Sequence, residues 1–283
     1  MGSHMARNLI AAGFTVTVFN RSPEKTGPLA SAGAHVAATA ADAVVAGGIV
    51  VTMLSNDAVL EELTNAFVAK LGAGGLHVSM STVAPDTSRK LAALAASHGG
   101  EFLSAPVFGR PEAAAARKLW VCTSGAASAK SRAQPLLDAM SQGVHDFGED
   151  VGAANVVKLS GNFMLFAAIE SMAEAQALAE KNGVDRVAVA SFFAATLFNC
   201  PVYSGYGSRI ATSAFEPAGF NLALALKDAN LVRDVAEQSH VTMPVADLVH
   251  ARLLTSVAKG RSHLDVAGIA LVTAEDAGLT QKR

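Results

Sequence analysis

The stretch Gly152-Ala-Ala-Asn-Val-Val-Lys158-Leu-Ser-Gly-Asn162 sets a lysine where an apolar helix would otherwise run uninterrupted. Val156, Val157 and Leu159 flank Lys158. Full burial of an unpaired ammonium is too costly, so this lysine must snorkel or face a polar cleft. Residues i and i+4 lie about 40° apart around a helix, so Lys158 and Asn162 project from one face. A partly desolvated lysine can pass a proton to or from a hydroxyl near neutral pH, and Asn162 can orient that lysine or a substrate oxygen.

Other polar groups fall at strand ends. Asn20-Arg21-Ser22 follows the β-branched run FTVTVF, the point at which a dinucleotide fold reads the adenosine ribose. An arginine there offers a planar charged fork to a 2′-phosphate, with the Ser22 hydroxyl beside it and Lys25 adding charge, which implies NADP over NAD. Read without that context, Arg21 is a solvated turn residue. Met53 and Leu54 end another strand, where cofactors lie in open α/β sheets. Ser81-Thr82 precedes Pro85-Asp86 at a strand-to-helix junction, where hydroxyls and free N–H groups hold a carboxylate or simply cap the helix. Gly109-Arg110 combines close backbone approach with a charge for an anionic substrate. Lys227-Asp228 interrupts the apolar LALALKDANL and either reaches a site or pairs with neighbours.

These residues need elements to carry them. Strands are expected at Phe14–Phe19, Gly48–Leu54, His77–Met80 and Lys118–Thr123, with helices at Asp57–Lys70 and Asp86–His98 between them. That alternation predicts an α/β fold, a Rossmann-type doubly wound parallel sheet over residues 1–151. Beyond it strand signals fade, and helices are expected at Ala153–Lys181, Arg186–Leu197, Leu222–Gln238 and Val245–Lys259. An all-α domain is therefore predicted over 152–283. Ser204–Ser208 (SGYGS) follows no strand and reads as a turn rather than a phosphate loop. The first 25 residues read as helix, strand and ribose turn; the opening strand of the fold and the rest of its glycine turn are expected upstream, with Gly2 the one glycine of that turn present.

Composition narrows the classes. Of 283 residues, 51% are hydrophobic and 16% charged, which excludes a disordered chain. A net charge of −2 leaves no footprint for nucleic acid or an anionic membrane. The longest apolar patch, Val187–Phe198, is far below the ~20 residues a membrane span needs. No histidine spacing suggests a metal. Cys122 and Cys200 read as ordinary buried thiols, and a cytoplasmic setting is expected.

In order, MGSHMARNL with VTVFNRSPEK, STVAPDTSRKLA, APVFGRPEAA, GAANVVKLSGN and FEPAGFNLALALKDANL resemble the β-hydroxyacid dehydrogenase family over essentially the whole chain. Gly-Ser-His-Met also occurs as an expression-vector remnant, but Met1-Gly2-x-x-Met5-Ala6-x-Asn8-Leu9 fits the family register. The resemblance implies an NAD(P)-dependent dehydrogenase or reductase for a small 3-hydroxy acid or carboxylate-bearing aldehyde. It makes Lys158 the catalytic general acid and Asn162 its partner. Ser81, Thr82, Gly109, Arg110 and Lys227 become substrate contacts, and Gly2, Asn20, Arg21, Ser22, Lys25, Met53, Leu54, Thr82 and Lys227 cofactor contacts. NADP (NADPH) is implied ahead of NAD, together with a homodimer or homotetramer. Ser79 stands where an acid is common, and Phe108-Gly109-Arg110 departs from the usual Ser-Gly-Gly, a departure expected to alter substrate choice. Imine reduction and a non-catalytic nucleotide-binding protein of the same fold are the alternatives; Lys158 favours carbonyl chemistry over the first.

Overall fold

The computed structural model describes residues 1–279. The chain divides into two compact units, Met1–Lys158 and Leu159–Arg283, the division falling inside one long helix.

The first unit opens with α1 (Gly2–Ala11), followed by β1 (Thr17–Val18), a 3₁₀ turn at Pro23–Lys25, α2 (Gly27–Ala30) and β2 (His35–Val36). Next come β3 (Ile49–Thr52), α3 (Asp57–Leu71), β4 (Leu76–Ser79), α4 (Pro85–Ser97), β5 (Glu101–Ser104) and β6 (Val107–Phe108). Then follow α5 (Pro111–Ala115), β7 (Leu119–Thr123), α6 (Ala127–Met140), β8 (Ser141–Asp146) and the start of α7 (Ala153–Lys181). This is the Rossmann-like α/β arrangement the alternation predicts, with two refinements. The strands form three ladders, β1-β2, β3-β4-β5 and β6-β7-β8, rather than one continuous sheet. The β6-β7 pair is antiparallel and every other pair parallel. A single bridge between Ser104 and Ser124 connects the ends of β5 and β7.

β4 is buried along its whole length, as expected of a central parallel strand. Leu76, Val78, Met80, Leu103, Leu119, Val121, Leu137 and Met140 form the main core, which Met5 and Leu9 of α1 join. Leu60, Val83, Leu91 and Phe102 make a second cluster. Helix starts follow local chemistry: Asn56 caps α3 by accepting from Val59 N–H at 2.9 Å, and Pro85 opens α4.

The second unit holds the rest of α7, α8 (Arg186–Ala195), α9 (Pro201–Thr212), α10 (Leu222–Gln238), α11 (Pro244–Ala258), a 3₁₀ turn at Val266–Ile269 and α12 (Ala270–Asp276). Asp185 and Asn221 cap α8 and α10 through their side chains. The SGYGS segment, expected as a turn, lies within α9. Pro201 in the first turn starts that helix, and Tyr206, Ile210 and Ala211 bury one face of it. α7 is long and apolar enough to cross a membrane, so Val187–Phe198 is not the chain's longest apolar stretch. Its Phe166, Ile169, Met172 and Ala173 are instead part of the core of this unit, and its buried Glu170 pairs with Arg252 at 2.9 Å.

Candidate active site

Lys158 lies on the first turns of α7, and those turns are tied down by buried polar contacts. Ala154 N–H donates to Ser124 Oγ at 3.0 Å. Asn155, fully buried, accepts from Val83 N–H at 3.3 Å and donates through Nδ2 to Ser88 Oγ at 3.0 Å. Just before the helix, Arg89 grips Asp150 with Nε and Nη2 at 3.0 and 2.6 Å and Asp86 with Nη1 at 2.7 Å. This doubly shared guanidinium is held even further above its ordinary range, and Asp150 below the usual carboxylate range. A Cβ on Gly152 would come within 2.8 Å of Arg89 Nη2, so glycine lets the arginine lie against the backbone there.

Held this way, Lys158 is only 9% exposed, with Nζ 4.1 Å from the centroid of the Phe108 ring. A π face attracts an ammonium and compensates part of its lost hydration. The snorkel or polar cleft expected for this lysine is therefore, in part, an aromatic face. Cys122, also buried, feels the Lys158 charge, but burial dominates and pushes its thiol up, the state of an inert thiol.

Gly109 and Arg110 follow Phe108 directly. Gly109 has φ +139°, and a Cβ there would lie 2.7 Å from Leu119 Cδ2, so the turn requires glycine. Arg110 precedes α5 as its N-cap residue, its Nε 3.8 Å from a Glu112 carboxylate oxygen. Asn8 of α1 donates to Ala114 O at 2.7 Å, bracing α1 against α5.

The ends of β3 and β4 converge as well. Leu54 N–H donates to Ser81 Oγ at 2.9 Å, and Ser81 is fully buried. Its hydroxyl oxygen thus braces the two strand ends, while Thr82 beside it is partly exposed. Asp57 Oδ1 accepts from Ala84 N–H at 2.8 Å and Thr87 Oγ1 at 2.7 Å, fixing the same loop. Gly2 faces Met53: a Cβ at Gly2 would sit 3.6 Å from Met53 Cβ. Asn20 Oδ1 accepts from Ser22 N–H at 2.9 Å, closing a tight turn at the end of β1 that leaves Arg21 and Lys25 exposed. Two cations and a hydroxyl thus lie at one strand end, with Glu24 the one acid among them.

In the second unit Asn162 Nδ2 donates to Asp228 Oδ2 at 2.7 Å, and Asp228 Oδ1 pairs with Lys227 Nζ at 2.6 Å. Asn162 and Asp228 are buried. The structure thus joins two predicted residues, Asn162 and Lys227, through an acid whose role the sequence left as ordinary pairing. Asn155, Ser88, Ser124 and the Arg89–Asp150 pair were missed as well. Their one signal is polarity at strand ends and in the first turns of helices, which turn and capping chemistry accounts for equally well. Among the described residues no three His, Cys, Asp or Glu side chains converge on a metal position.

Known proteins resemble this chain across both of its units. Residues 1–152 match the family model described as the NAD binding domain of 6-phosphogluconate dehydrogenase, and residues 152–273 the NAD-binding domain of NADP-dependent 3-hydroxyisobutyrate dehydrogenase. The chain is 40% identical over 272 residues to the uncharacterized oxidoreductase YfjR of Bacillus subtilis, covering 95% of each. It is 32% identical over 259 residues to the NAD-dependent L-serine dehydrogenase of Pseudomonas aeruginosa, covering 88% of this chain and 86% of the relative. The solved structure of Mycobacterium tuberculosis 3-hydroxyisobutyrate dehydrogenase with L-serine superposes with a TM-score of 0.86 at 29% identity, over 96% of this chain and 95% of that one. With two family models spanning nearly all of it, the chain belongs to the β-hydroxyacid dehydrogenases, NAD(P)-dependent oxidoreductases acting on the CH–OH group of hydroxy acids.

Proposed function

We propose that the chain is an NADP-dependent reductase, reversible as a dehydrogenase, for a small carboxylate-bearing aldehyde or 3-hydroxy acid, and that Lys158 handles the proton. The observation that carries this reading is the buried Lys158 ammonium, 4.1 Å from the Phe108 ring on a helix start anchored through Asn155 and Ser124. A nicotinamide cofactor, when bound, would supply or accept the hydride. Lys158 Nζ donates a proton to the oxygen as the carbonyl becomes an alcohol, and takes it back in the reverse direction. Asn162, held by Asp228, orients the reacting oxygen. Arg110 and the Thr82 hydroxyl bind the carboxylate, a fork-shaped cation being suited to its two oxygens.

Arg21, Ser22 and Lys25 support NADP over NAD. The second family model is described by an NADP-dependent enzyme, although one relative is named NAD-dependent. The L-serine named with two of the similar proteins is itself a small carboxylate bearing a 3-hydroxyl, the substrate class proposed here. The test is Lys158→Ala, assayed with NADPH against a panel of short semialdehydes. Turnover is expected to fall by roughly 10²–10⁴-fold while NADPH binding persists. Near-normal turnover would remove Lys158 from the chemistry.

A further inference from the structure

The β6-β7-β8 ladder has two unlike faces. Val107, Leu119, Val121 and Val144 turn into the main core. Side chains alternate along a strand, so Phe108, Trp120 and Cys122 rise from the other face. Gly143 and His145 of β8 pair with Trp120 and Cys122 there. Lys158 meets the same face: its Nζ lies 4.1 Å from the Phe108 ring centroid, and its charge reaches Cys122. Phe108 and Trp120 are directly opposed, which puts their Cβ atoms about 4.5–5.5 Å apart. Lys158 is therefore one side chain away from Trp120.

Trp120 is the one tryptophan of the chain and is 46% exposed, yet its ring is fixed in place. A Cβ on Gly143 would come within 2.7 Å of Trp120 Cε3, so glycine lets the indole lie against β8. The His145 ring meets it at 5.5 Å with planes 43° apart. A fixed, half-open indole contiguous with Phe108 makes an aromatic wall rather than a lone surface residue. Such a wall gains most from another ring laid offset or edge-on against it.

We propose that Phe108 and Trp120 seat the substituent of the substrate, and that the substrate is a 3-hydroxy acid carrying an aryl group at C2. This rests on the function proposed above, in which Lys158 takes the proton of the C3 hydroxyl and Arg110, two residues past Phe108, meets the carboxylate. With those two groups placed, C2 lies over Phe108 and its substituent runs along the ladder to Trp120. An occupant that touches Phe108 touches the neighbour of Lys158, which ties the wall to the chemistry. The aryl group itself takes no part in the bond changes.

The matched probes are 3-hydroxy-2-phenylpropanoate and 3-hydroxy-2-methylpropanoate, identical except at C2. Each enantiomer is oxidised by the full chain with NADP⁺, and NADPH formation is followed. Binding is read separately, from Trp120 emission, with NADP⁺ and the unreactive 2-phenylpropanoate and 2-methylpropanoate. The phenyl substrate is expected to have a kcat/KM on the order of tenfold above the methyl one, and only the phenyl analogue should shift the emission. Trp120→Ala should lower the phenyl-to-methyl ratio by about tenfold, and Trp120→Phe should restore most of it. Gly143→Ala, which lifts the indole off β8, should lower the ratio as well. Turnover of the methyl compound with no phenyl preference would overturn this proposal and leave the role of Lys158 standing, as would a preference that survives Trp120→Ala. Should neither compound be oxidised, the reaction assigned above fails and emission decides the seat: a shift with the phenyl analogue alone supports it, and no shift overturns it. Emission that follows protein concentration and not the phenyl analogue would assign Trp120 to contact between copies and equally overturn the proposal.

Discussion

Replacing Asn155 by Ala tests whether the seat of α7, rather than Lys158 alone, makes the site. In the folded chain this side chain serves two buried partners, Val83 N–H at 3.3 Å and Ser88 Oγ at 3.0 Å, and all three residues are fully buried. Alanine strands the Val83 N–H and frees the Ser88 hydroxyl. A stranded buried donor costs about 1–3 kcal/mol, and the small cavity adds to it, for a loss of about 2–4 kcal/mol. For a unit of this size each kcal/mol lowers the midpoint by roughly 2–4 °C, so its thermal transition should drop by about 5–15 °C. Lys158 is three residues on, and a displacement of about 1 Å at a reacting group can cost up to ~10²-fold. The expected kinetic result is a kcat reduced by about 10- to 100-fold at a temperature where the variant is fully folded. The KM for NADPH should hold, because Arg21 and Lys25 lie at the end of β1, away from this contact. Differential scanning calorimetry and steady-state kinetics check both halves. A midpoint within about 1 °C of the parent with unchanged kcat would refute the idea that Asn155 fixes the lysine.

Phe108→Leu removes the π face next to Lys158; a desolvated cation–π contact of ~2 kcal/mol corresponds to a loss of about 30-fold in kcat/KM. Phe108→Tyr should retain activity, and equal kinetics for Leu and Phe would show that the ring merely fills space. Arg21→Glu should reverse cofactor preference, lowering kcat/KM for NADPH by ~10²-fold or more as a charge-assisted contact becomes a repulsive one; unchanged NADPH kinetics would refute the ribose-turn reading. His77 is fully buried, holds Thr52 Oγ1 at 2.9 Å, and has its pKa pushed down to about 3 by burial. The unfolded chain takes up that proton near pH 6.5 and the folded chain does not. His77 therefore supports stability above pH 6.5, and this support is lost as pH falls toward 3, by about 1.4 kcal/mol per pH unit. His77→Phe, which fits between Phe67 and Phe102, should flatten this limb in urea unfolding between pH 6.5 and 4.5; an unchanged slope would show that His77 titrates alike in both states.

What the sequence revealed and what it concealed follow from the same physics. Lys158, Asn162 and Lys227 stood out because each breaks a local rule, a polar group set in an apolar helix. The strands starting near Gly48 and Lys118 were legible from β-branched runs, although Phe14–Phe19 yields only Thr17–Val18 as paired strand. Glu101–Ser104 and Ser141–Asp146 gave no such signal. Their composition is mixed or polar, and they become strands because β4 and β7 offer backbone partners beside them, a tertiary effect that overrides propensity. Two glycines and two serines disguised the SGYGS stretch, yet α9 forms because its other face is buried. Asn155 and Ser124 were invisible for the opposite reason to Lys158. A polar residue at a helix start or strand end satisfies every local expectation, so nothing distinguishes a cap or turn residue from one reaching across to another element. Asp228 falls between these cases: its charge beside Lys227 was legible, but not that the same carboxylate would also hold Asn162. The groups proposed for the chemistry are thus the ones at odds with their own segments. The groups that hold them agree with theirs, and only the folded arrangement of this chain separates the two.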